Sequence, residues 1–356
     1  MKFLYSLKNK LQRVSLVDKM MFTRNLATML KAGLSLPRTF KIISSQTRNQ
    51  KFKQIIIQIK NDVEKGENLA NALAKHPQIF NVLYTGMIKV GETGGSLEQV
   101  LKILGTQMKK DHEIRSNIKN AMIYPAVILT AMLGIGLLMG YFIVPKLLAI
   151  FEQFEMQLPL STRAIIFTSK MIQNNGLWIL LGLIILIPCL RYFLKKQKAR
   201  KILHGLLLRL PIFGKISIQF NCARLARTLS SLTQSGISII KALNTLAGTL
   251  DNIHYQESIK QTAHQVSKGL ALNKALAKYP KLYPILTRQM ISFGEETGQL
   301  DSTLEQLAEF YEQEIDQITK NLSAVIEPIL MIIIGAAVGF FAISMLQPMY
   351  SMLEGV

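Results

Sequence analysis

An internal duplication places the strongest constraint on how this chain can fold. The segment GETGGSLEQVL, which begins at Gly91, returns 203 residues later as GEETGQLDSTL, which begins at Gly294. The same offset joins Arg24 with Arg227, Gly33 with Gly236, Gly66 with Gly269, Pro77 with Pro280, Pro125 with Pro328, and Pro145 with Pro348. A register that holds without gaps over such a distance indicates a tandem repeat. The repeated unit comprises a polar segment and the apolar run that follows it, so two similar folding units are expected.

Three apolar runs are long enough to cross a membrane. Hydrophobic residues make up 49% of the 356 residues and the mean hydropathy is +0.25, which is more than a soluble globular protein needs. No charged residue occurs between Lys119 and Lys146, between Met171 and Leu190, or after Glu327 until the end of the chain is near. At about 1.5 Å per residue, each run can cross a hydrocarbon core of about 30 Å. We therefore predict membrane spans at residues 121–145, 171–194 and 325–350.

The distribution of charge predicts how these spans are oriented. Residues 1–120 hold 21 Lys and Arg against 8 Asp and Glu, residues 191–327 hold 18 against 11, and residues 145–176 hold 3 against 2. Because segments rich in Lys and Arg stay in the cytoplasm, both large segments are expected there. The segment 146–170 and the tail 351–356 are then external. Two parallel copies need one return crossing between them, which explains the span at 171–194.

The basic residues have a plainer explanation than nucleic-acid binding. The cluster KKQKARK, from Lys195 to Lys201, follows the second span and lies in a juxtamembrane linker at residues 195–218. We interpret it as an anchor at anionic membrane lipid. The net charge is +20, but no aromatic or glycine-rich binding motif accompanies it, so no nucleic-acid contact is expected. The N-terminal segment 1–15 lacks the continuous apolar core of a secretory signal and is expected to be cytoplasmic.

Each soluble copy is predicted to be all-helical. Turn residues separate short apolar-periodic runs, and no stretch with a two-residue period indicates a strand. We expect a bundle of about six helices at residues 16–120 and another at residues 219–324. The fold class is thus an all-α membrane protein, with two homologous cytoplasmic helical bundles and three transmembrane helices. The last helix of each bundle carries an inward apolar stripe, formed by Leu97, Val100, Leu101, Leu104 and Met108, and by Leu300, Leu304, Leu307 and Tyr311.

The glycine turns are predicted to be helix bends rather than phosphate cradles. A P-loop needs a preceding strand and a lysine at its end, and neither is found here. The second copy retains Gly91, Glu92, Gly95 and Leu97 as Gly294, Glu295, Gly298 and Leu300. We expect the glycines to occupy left-handed or crowded backbone positions. Ser96 is expected to cap the next helix, and Leu97 to start its buried stripe.

The titratable residues give little support for catalysis or cofactor binding. Glu92 and Glu98, repeated as Glu295 and Asp301, are a possible divalent-cation site. A solvated acidic edge is the commoner arrangement, and we expect no metal. The five histidines are scattered without ligand spacing, and Cys189 and Cys222 support neither a disulfide framework nor a zinc site. We predict a protein that is not an enzyme and has no cofactor.

Two prolines stand at the mouths of the equivalent first and third spans. They follow Tyr124 in IYPAV and Glu327 in IEPIL, as Pro125 and Pro328. A tolerated kink with an interfacial aromatic residue is one interpretation. The second interpretation concerns Glu327. A carboxylate so close to hydrocarbon should lie at the headgroup edge or bind a partner, so Glu327 could form a functional pair.

Together these features resemble the inner-membrane platform family of type IV pilus assembly and type II secretion machines. The resemblance rests on the duplicated helical segment, the GE-x-x-G-x-L bends, the YP and EP dipeptides and the three spans, and it covers the chain from about Leu16 to the end. It implies a non-enzymatic scaffold in the bacterial inner membrane. Its partners would be a hexameric assembly ATPase, the transmembrane helices of pilins or pseudopilins, and other inner-membrane assembly components. Many members have a longer segment before the first repeat than this chain.

A transporter or channel built from repeats is the competing class. Such a protein needs polar residues deep in its spans, yet the first and third predicted spans carry no charge at their centres. Three spans could form a pathway only as a homo-oligomer, a state that is also expected for a platform. The pattern cannot separate a pilus from a DNA-uptake pseudopilus or a secretion pseudopilus.

Overall fold

The computed structural model of the chain describes residues 14–153, 159–193 and 196–354. Within these ranges every regular element is a helix, which confirms the predicted all-helical class. The chain divides into two compact units. The first combines residues up to Ser116 with Lys201–Asp316, and the second combines Asn117–Arg200 with the residues from Gln317 onward.

The first copy of the repeat supplies six helices between Leu16 and Ala121. They are α1 (Leu16–Lys31), α2 (Leu36–Gln46), α3 (Gln50–Glu64), α4 (Leu69–Ala74), α5 (Val82–Thr93) and α6 (Leu97–Ala121). Polar side chains cap the starts of α1, α3 and α5: Ser15 forms a capping box with Asp18, and Asn49 and Asn81 each accept a backbone N–H of the following turn. Of the N-terminal segment 1–15, residues 1–13 lie outside the described ranges.

The second copy follows the same order. Its helices are α11 (Pro211–Gln234), α12 (Ile239–Ala247), α13 (Ile253–Val266), α14 (Leu272–Leu276), α15 (Ile285–Thr297) and α16 (Leu300–Glu354). Helix α10 (Gln197–Arg209) precedes them, so the basic linker predicted at 195–218 is itself helical from Gln197. Residue 195 lies outside the described ranges. Helix α11 begins eight residues before the predicted start of the second bundle at 219, because Pro211 at its first turn is compatible with a helix start.

Equivalent positions form the centres of the two bundles. In the first copy the Phe22 ring lies among Phe40, Phe52 and Phe80, with centroids 5.6–6.1 Å away. Tyr255 and Tyr283 occupy the positions that match Phe52 and Phe80, and their rings meet edge to face at 5.5 Å. The added hydroxyls are satisfied, since Tyr255 donates to the carbonyl of Leu282 and Tyr283 bonds the Ser258 hydroxyl. Both cores are therefore aromatic, with the polar atoms paired.

The second unit contains the apolar helices. After a turn at Met122, helix α7 (Ile123–Leu138) leads into a π-helical segment (Met139–Ile143) and helix α8 (Val144–Gln153), and helix α9 covers Leu160–Phe193. Polar side chains of α9 donate to carbonyls of the neighbouring helices. Ser169 bonds the carbonyl of Gly140, Gln173 that of Tyr141, and Thr162 that of Ser344. In an apolar unit such bonds fix the packing of α9 against the π-helical segment and α16.

Within the described residues, two helical stretches are long and apolar enough to cross a membrane, Leu97–Phe151 and Leu300–Pro348. The first stretch contains the predicted span at 121–145, and the second contains the predicted span at 325–350 except for its last two residues. The span predicted at 171–194 falls in α9, apart from residue 194, which lies outside the described ranges, and it stays a prediction.

The segments expected to be external loops are more helical than the sequence suggested. In the segment 146–170, helix α8 extends to Gln153 and α9 begins at Leu160, while residues 154–158 lie outside the described ranges. In the tail 351–356, helix α16 continues to Glu354, and residues 355–356 are outside those ranges.

Candidate functional site

The bend of the first copy ties three helices together through one carboxylate. Glu92, in the last turn of α5, accepts the backbone N–H of Leu69 at 2.6 Å and that of Ala70 at 3.1 Å. Both amides belong to the first turn of α4, where the residue before the helix, Asn68, provides no side-chain cap. Backbone N–H groups at a helix start lack partners within the helix, and a negative charge is favourable there. Glu92 thus replaces a local cap from a distant part of the sequence.

The bend of the second copy repeats this arrangement. Glu295 accepts the N–H of Leu272 at 2.6 Å and that of Asn273 at 2.9 Å, at the start of α14. Ala271 precedes this helix and has no side chain able to cap it. The retention of glutamate at the bend of both copies therefore has a structural reason, which the sequence analysis missed. The sequence carries no local signal for this contact, because the donor amides lie 23 and 22 residues before the glutamate in each copy.

The glycines of the bends have the two roles expected of them. Gly95 and Gly298 have φ of +67° and +70°, in the left-handed region that disfavours residues with a Cβ atom. Gly91 and Gly294 are crowded instead. A Cβ on Gly91 would lie 2.9 Å from Cγ2 of Val100, and one on Gly294 would lie 2.1 Å from Oγ1 of Thr303. Close approach of α5 to α6, and of α15 to α16, depends on these two glycines.

The inward stripe that begins after each bend is buried. Leu97 and Leu300 are half-buried at the helix starts, and the following stripe residues named above are buried in both copies. Together with the carboxylate bonds, this packing makes the bends rigid junctions between helices. A role for Gly91, Glu92, Gly95, Leu97, Gly294, Glu295, Gly298 and Leu300 in contacting a partner stays a prediction.

The acidic residues of the bends do not assemble into a cation site in the described part of the chain. No group of three or more His, Cys, Asp or Glu side chains that could hold a metal ion is found there. The carboxylates of Glu92 and Glu295 are already occupied by two N–H donors each. The divalent-cation alternative therefore has no support in this geometry.

The two proline sites differ between the copies. Pro125 is buried in the first turn of α7, directly after the turn at Met122, and Tyr124 beside it is exposed. Pro328 lies inside the uninterrupted helix α16, and both Pro328 and Glu327 are exposed. Among the described residues no ion pair includes Glu327, so its functional pairing stays a prediction.

A cluster of charged side chains joins the two copies within the first unit. Arg227 of α11 makes a bidentate pair with Glu312 of α16, with Nε to Oε1 at 2.8 Å and Nη2 to Oε2 at 2.9 Å. Lys110 of the first copy lies 3.7 Å from the same carboxylate. Burial opposes the charge of the Arg227 guanidinium, but its hydrogen bonds with Glu312 outweigh this effect and raise its pKa.

Further polar contacts cross between the copies. Gln107 donates to the hydroxyl of Thr228 at 3.0 Å. The guanidinium groups of Arg115 and Arg224 both bond Asp251, at 3.2 and 2.8 Å. The sequence analysis missed this interface because a repeat pattern compares the copies position by position and contains no information on how one copy contacts the other.

Comparison with known families decides the identity of the repeat. The sequence model of the family described as "Type II secretion system (T2SS), protein F" matches two segments, residues 22–145 and 225–348. Their first residues are 203 positions apart, as are their last residues, which is the offset of the internal duplication. The chain belongs to the type II secretion system protein F family. This confirms the resemblance drawn from the bends, the prolines and the apolar runs.

Relatives in this family carry names from two machines. A type IV pilus assembly protein PilC of Thermus thermophilus is 36% identical over 338 residues, covering 95% of this chain and 83% of the relative. A type II secretion system protein F of Aeromonas hydrophila is 34% identical over 328 residues, covering 92% and 84%. PilC of Pseudomonas aeruginosa is 32% identical over 342 residues, covering 96% and 91%.

The family match includes both sets of predicted site residues. Its first segment holds Gly91, Glu92, Tyr124 and Pro125, and its second holds the equivalents Gly294, Glu295, Glu327 and Pro328. Each matched segment thus begins within the first helix of one copy and ends within the apolar helical region of that copy. Helices α9 and α10 fall between the two segments, as expected for a connection that is not part of the repeat.

Proposed function

We propose that this protein is a platform of the inner membrane that couples a cytoplasmic assembly ATPase to the insertion of pilin or pseudopilin subunits into a growing filament. The observation that carries the proposal is the tandem repeat itself. In each copy, helices joined by a rigid bend are followed without a long loop by an apolar helix able to cross a membrane. Such an arrangement links movement of a soluble bundle to movement of a membrane helix.

The proposed topology has three spans and two cytoplasmic six-helix bundles. Spans at 121–145, 171–194 and 325–350 place the bundles at 16–120 and 219–324 in the cytoplasm, with the N-terminus. The segment 146–170 and the C-terminal tail 351–356 are then periplasmic. The excess of Lys and Arg in both bundles supports this orientation. The basic helix α10 would lie at anionic lipid.

The contact between the copies would let the two bundles respond together. Charged pairs between the copies, such as that of Lys110 with Glu312, join the helices that follow the two bends. The basic surface of the bundles would attract an acidic face of a hexameric ATPase. This gives the bundles a mechanical role in which no bond is made or broken, so the protein is not an enzyme and needs no cofactor.

A cleft in the second unit supports a role in holding a pilin transmembrane helix. Its volume is about 530 Å³, and it lies between α7, the π-helical segment, α9 and α16. Its lining includes small residues and aromatic rings, among them Ala131, Gly136, Gly140, Ala337, Phe340 and Phe341. Small residues allow close approach of a second helix in lipid. We propose that the hydrophobic helix of a pilin or pseudopilin binds here, within a homo-oligomer of platform subunits and other inner-membrane components.

The first experiment tests the platform role against transport. A bacterial strain that lacks this gene should assemble no filament from its pilin or pseudopilin, although the pilin itself accumulates in the membrane. The full chain, but not a chain with Glu92→Ala and Glu295→Ala, should restore filaments. Normal filament assembly in the deletion strain would exclude the proposal, and ion or solute flux through liposomes that contain only this protein would favour the transporter.

A second experiment tests the motor partner. The full chain in detergent, fixed on an affinity column, should retain the assembly ATPase of the same bacterium, and the complex should weaken with rising salt because exposed charges attract the ATPase. Charge reversal of exposed Lys in both copies should release the ATPase. Equal retention after charge reversal would remove the electrostatic part of the proposal.

A further inference from the structure

A cleft in the first copy collects positive charge on its lining residues. It has a volume of about 260 Å³ and lies between α1 and α6. Three cations line it, Arg24 from α1 and Lys102 and Lys109 from α6, and we call it the cationic cleft. The stem of Arg24 crosses α6 at Gly105, where a Cβ atom would lie 3.3 Å from its Cγ. No Asp or Glu is among the lining residues.

The equivalent place in the second copy shows what such an arginine binds. Arg24 corresponds to Arg227, Lys102 to Glu305, Thr106 to Glu309 and Lys109 to Glu312. Arg227 pairs with the carboxylate of Glu312 at 2.8 Å and with the carboxylate of Glu305 at 3.7 Å. The repeat thus holds its arginine against acidic groups in one copy and against lysines in the other.

The cations of the first copy are largely left without acidic partners. Lys109 lies 3.6 Å from Glu113 with both side chains about half exposed, a pair that contributes little to stability. Within the described residues, Arg24 and Lys102 make no ion pair. Arg24, Lys102 and Lys109 are all exposed to solvent, and an anion bound in the cleft would reduce the repulsion among their like charges.

We propose that the cationic cleft binds an acidic helix of a partner protein, whose carboxylates take the place that Glu305, Glu309 and Glu312 hold in the second copy. An arginine fork matches a carboxylate with two parallel hydrogen bonds, as the Arg227 pair shows within this chain. Lys102 and Lys109 are seven residues apart on α6, which corresponds to about 10 Å along the helix. A partner helix with glutamates at positions i, i+4 and i+7 matches that spacing.

This inference goes beyond the platform role and does not depend on it, because the binding test contains neither an ATPase nor a pilin. The full chain in detergent is titrated into a fluorescent helical peptide that carries glutamates at i, i+4 and i+7. The control peptide has glutamine at the three positions. Fluorescence anisotropy should show binding of the glutamate peptide at about 100 mM salt, at least about tenfold tighter than the glutamine peptide.

The decisive variant gives the cationic cleft the glutamates that the second copy has at the equivalent positions. The double substitution Lys102→Glu/Lys109→Glu supplies carboxylates to Arg24 from within the chain, so the cleft is filled and the glutamate peptide should lose at least about tenfold in affinity. The variant should unfold at the same temperature as the unchanged chain or a higher one. That readout separates a filled cleft from a damaged fold.

A matched variant controls for net charge. Lys41→Glu/Lys65→Glu makes the same change in charge at exposed positions of the same copy that do not line the cleft, and it should bind the peptide nearly as well as the unchanged chain. Arg24→Gln, which adds no acid, should also weaken binding several-fold. Equal affinity for both peptides, equal loss in the Lys41/Lys65 control, or full binding in the Arg24 and Lys102/Lys109 variants would each overturn the proposal. So would preferential binding of phosphatidylglycerol vesicles or RNA at the cleft.

Discussion

Oε1 of Glu92 lies 2.6 Å from the backbone nitrogen of Leu69, and this one contact connects the bend after α5 to the first turn of α4. The same distance separates Glu295 from the nitrogen of Leu272 in the second copy. The repeated GE-x-x-G-x-L motif is therefore explained by a carboxylate that caps a distant short helix, with glycines that let the next helix pack close. Each bundle is held rigid at the point where its last helix begins.

Replacing the capping carboxylates should loosen α4 and α14. Glu92→Gln or Glu295→Gln removes the negative charge and one of two acceptor oxygens, so we expect a loss of about 1–3 kcal/mol in local stability. Hydrogen exchange of the full chain in detergent, followed by mass spectrometry, should show faster exchange in the peptide that contains the affected short helix.

Glu98→Gln is the matched control for this prediction. Glu98 is exposed in the first turn of α6 and should contribute at most a few tenths of a kcal/mol. Equal protection of α4 in the Glu92 and Glu98 variants would mean that the carboxylate contact contributes no stability.

The left-handed glycines should not tolerate alanine. Gly95→Ala and Gly298→Ala force a Cβ atom into a φ near +70°, which costs about 1–2 kcal/mol. Gly86→Ala provides the comparison, because Gly86 is in the body of α5 with no atom within 4 Å of a built Cβ. That substitution should leave stability unchanged or raise it by up to about 1 kcal/mol. Thermal unfolding followed by circular dichroism should rank the variants in this order, and a Gly86 variant as unstable as the Gly95 variant would contradict it.

The bends could be predicted from the sequence only in part. Positive φ at Gly95 and Gly298 follows from their place just beyond a helix, and it was expected. The capping role of Glu92 was not expected, because the N–H groups that it accepts lie 23 and 22 residues earlier in the sequence and no local pattern joins them to Glu92. The sequence analysis expected some of the bend glycines to be crowded. It could not predict the contact of Gly294 with Thr303, because that contact depends on how α15 packs against α16.

The repeat pattern did not predict the buried pairs of polar side chains. In the first copy the hydroxyls of Thr23 and Tyr84 bond at 2.9 Å, beside Met108. The equivalent positions in the second copy hold Ala226, Thr287 and Tyr311, and there Thr287 bonds Tyr311 at 2.7 Å. The tyrosine has moved from the fifth helix to the sixth, yet a hydroxyl pair remains. Only the three-dimensional neighbourhood shows that these substitutions compensate one another.

Replacing only one partner of the Arg227–Glu312 ion pair should lower the stability of the fold. Their side chains are 11% and 9% exposed, so removing one charge leaves the other largely buried with only a longer contact of 3.7 Å, from Glu312 to Lys110 or from Arg227 to Glu305. Arg227→Met or Glu312→Leu should each destabilise α11 by about 3 kcal/mol, whereas the double variant should recover a large part of that loss. Hydrogen exchange of α11 in the four proteins of this cycle measures the coupling. Additive losses in the double variant would show that the pair contributes nothing beyond its separate side chains.

Cys222 should be unreactive in the folded chain. Its side chain is fully buried, and burial raises the pKa of the thiol to about 12. At pH 8 the thiolate fraction is then lower than that of a free cysteine by about three orders of magnitude. In a Cys189→Ala chain, iodoacetamide should label Cys222 only after denaturation, as read by mass spectrometry. Rapid labelling of the native chain would place Cys222 in a more open environment.

The most direct test of the account is whether both copies lie on the same side of the membrane. Single cysteines are introduced at Lys65 and Lys268, exposed positions related by the repeat offset, in a chain whose native cysteines are alanine. Leu160→Cys, in the segment proposed to be periplasmic, is the control. A membrane-impermeant maleimide should label the Leu160 variant in intact spheroplasts, and the Lys65 and Lys268 variants only after lysis. Labelling of Lys65→Cys and Lys268→Cys from opposite sides would contradict two parallel copies and the platform built from them.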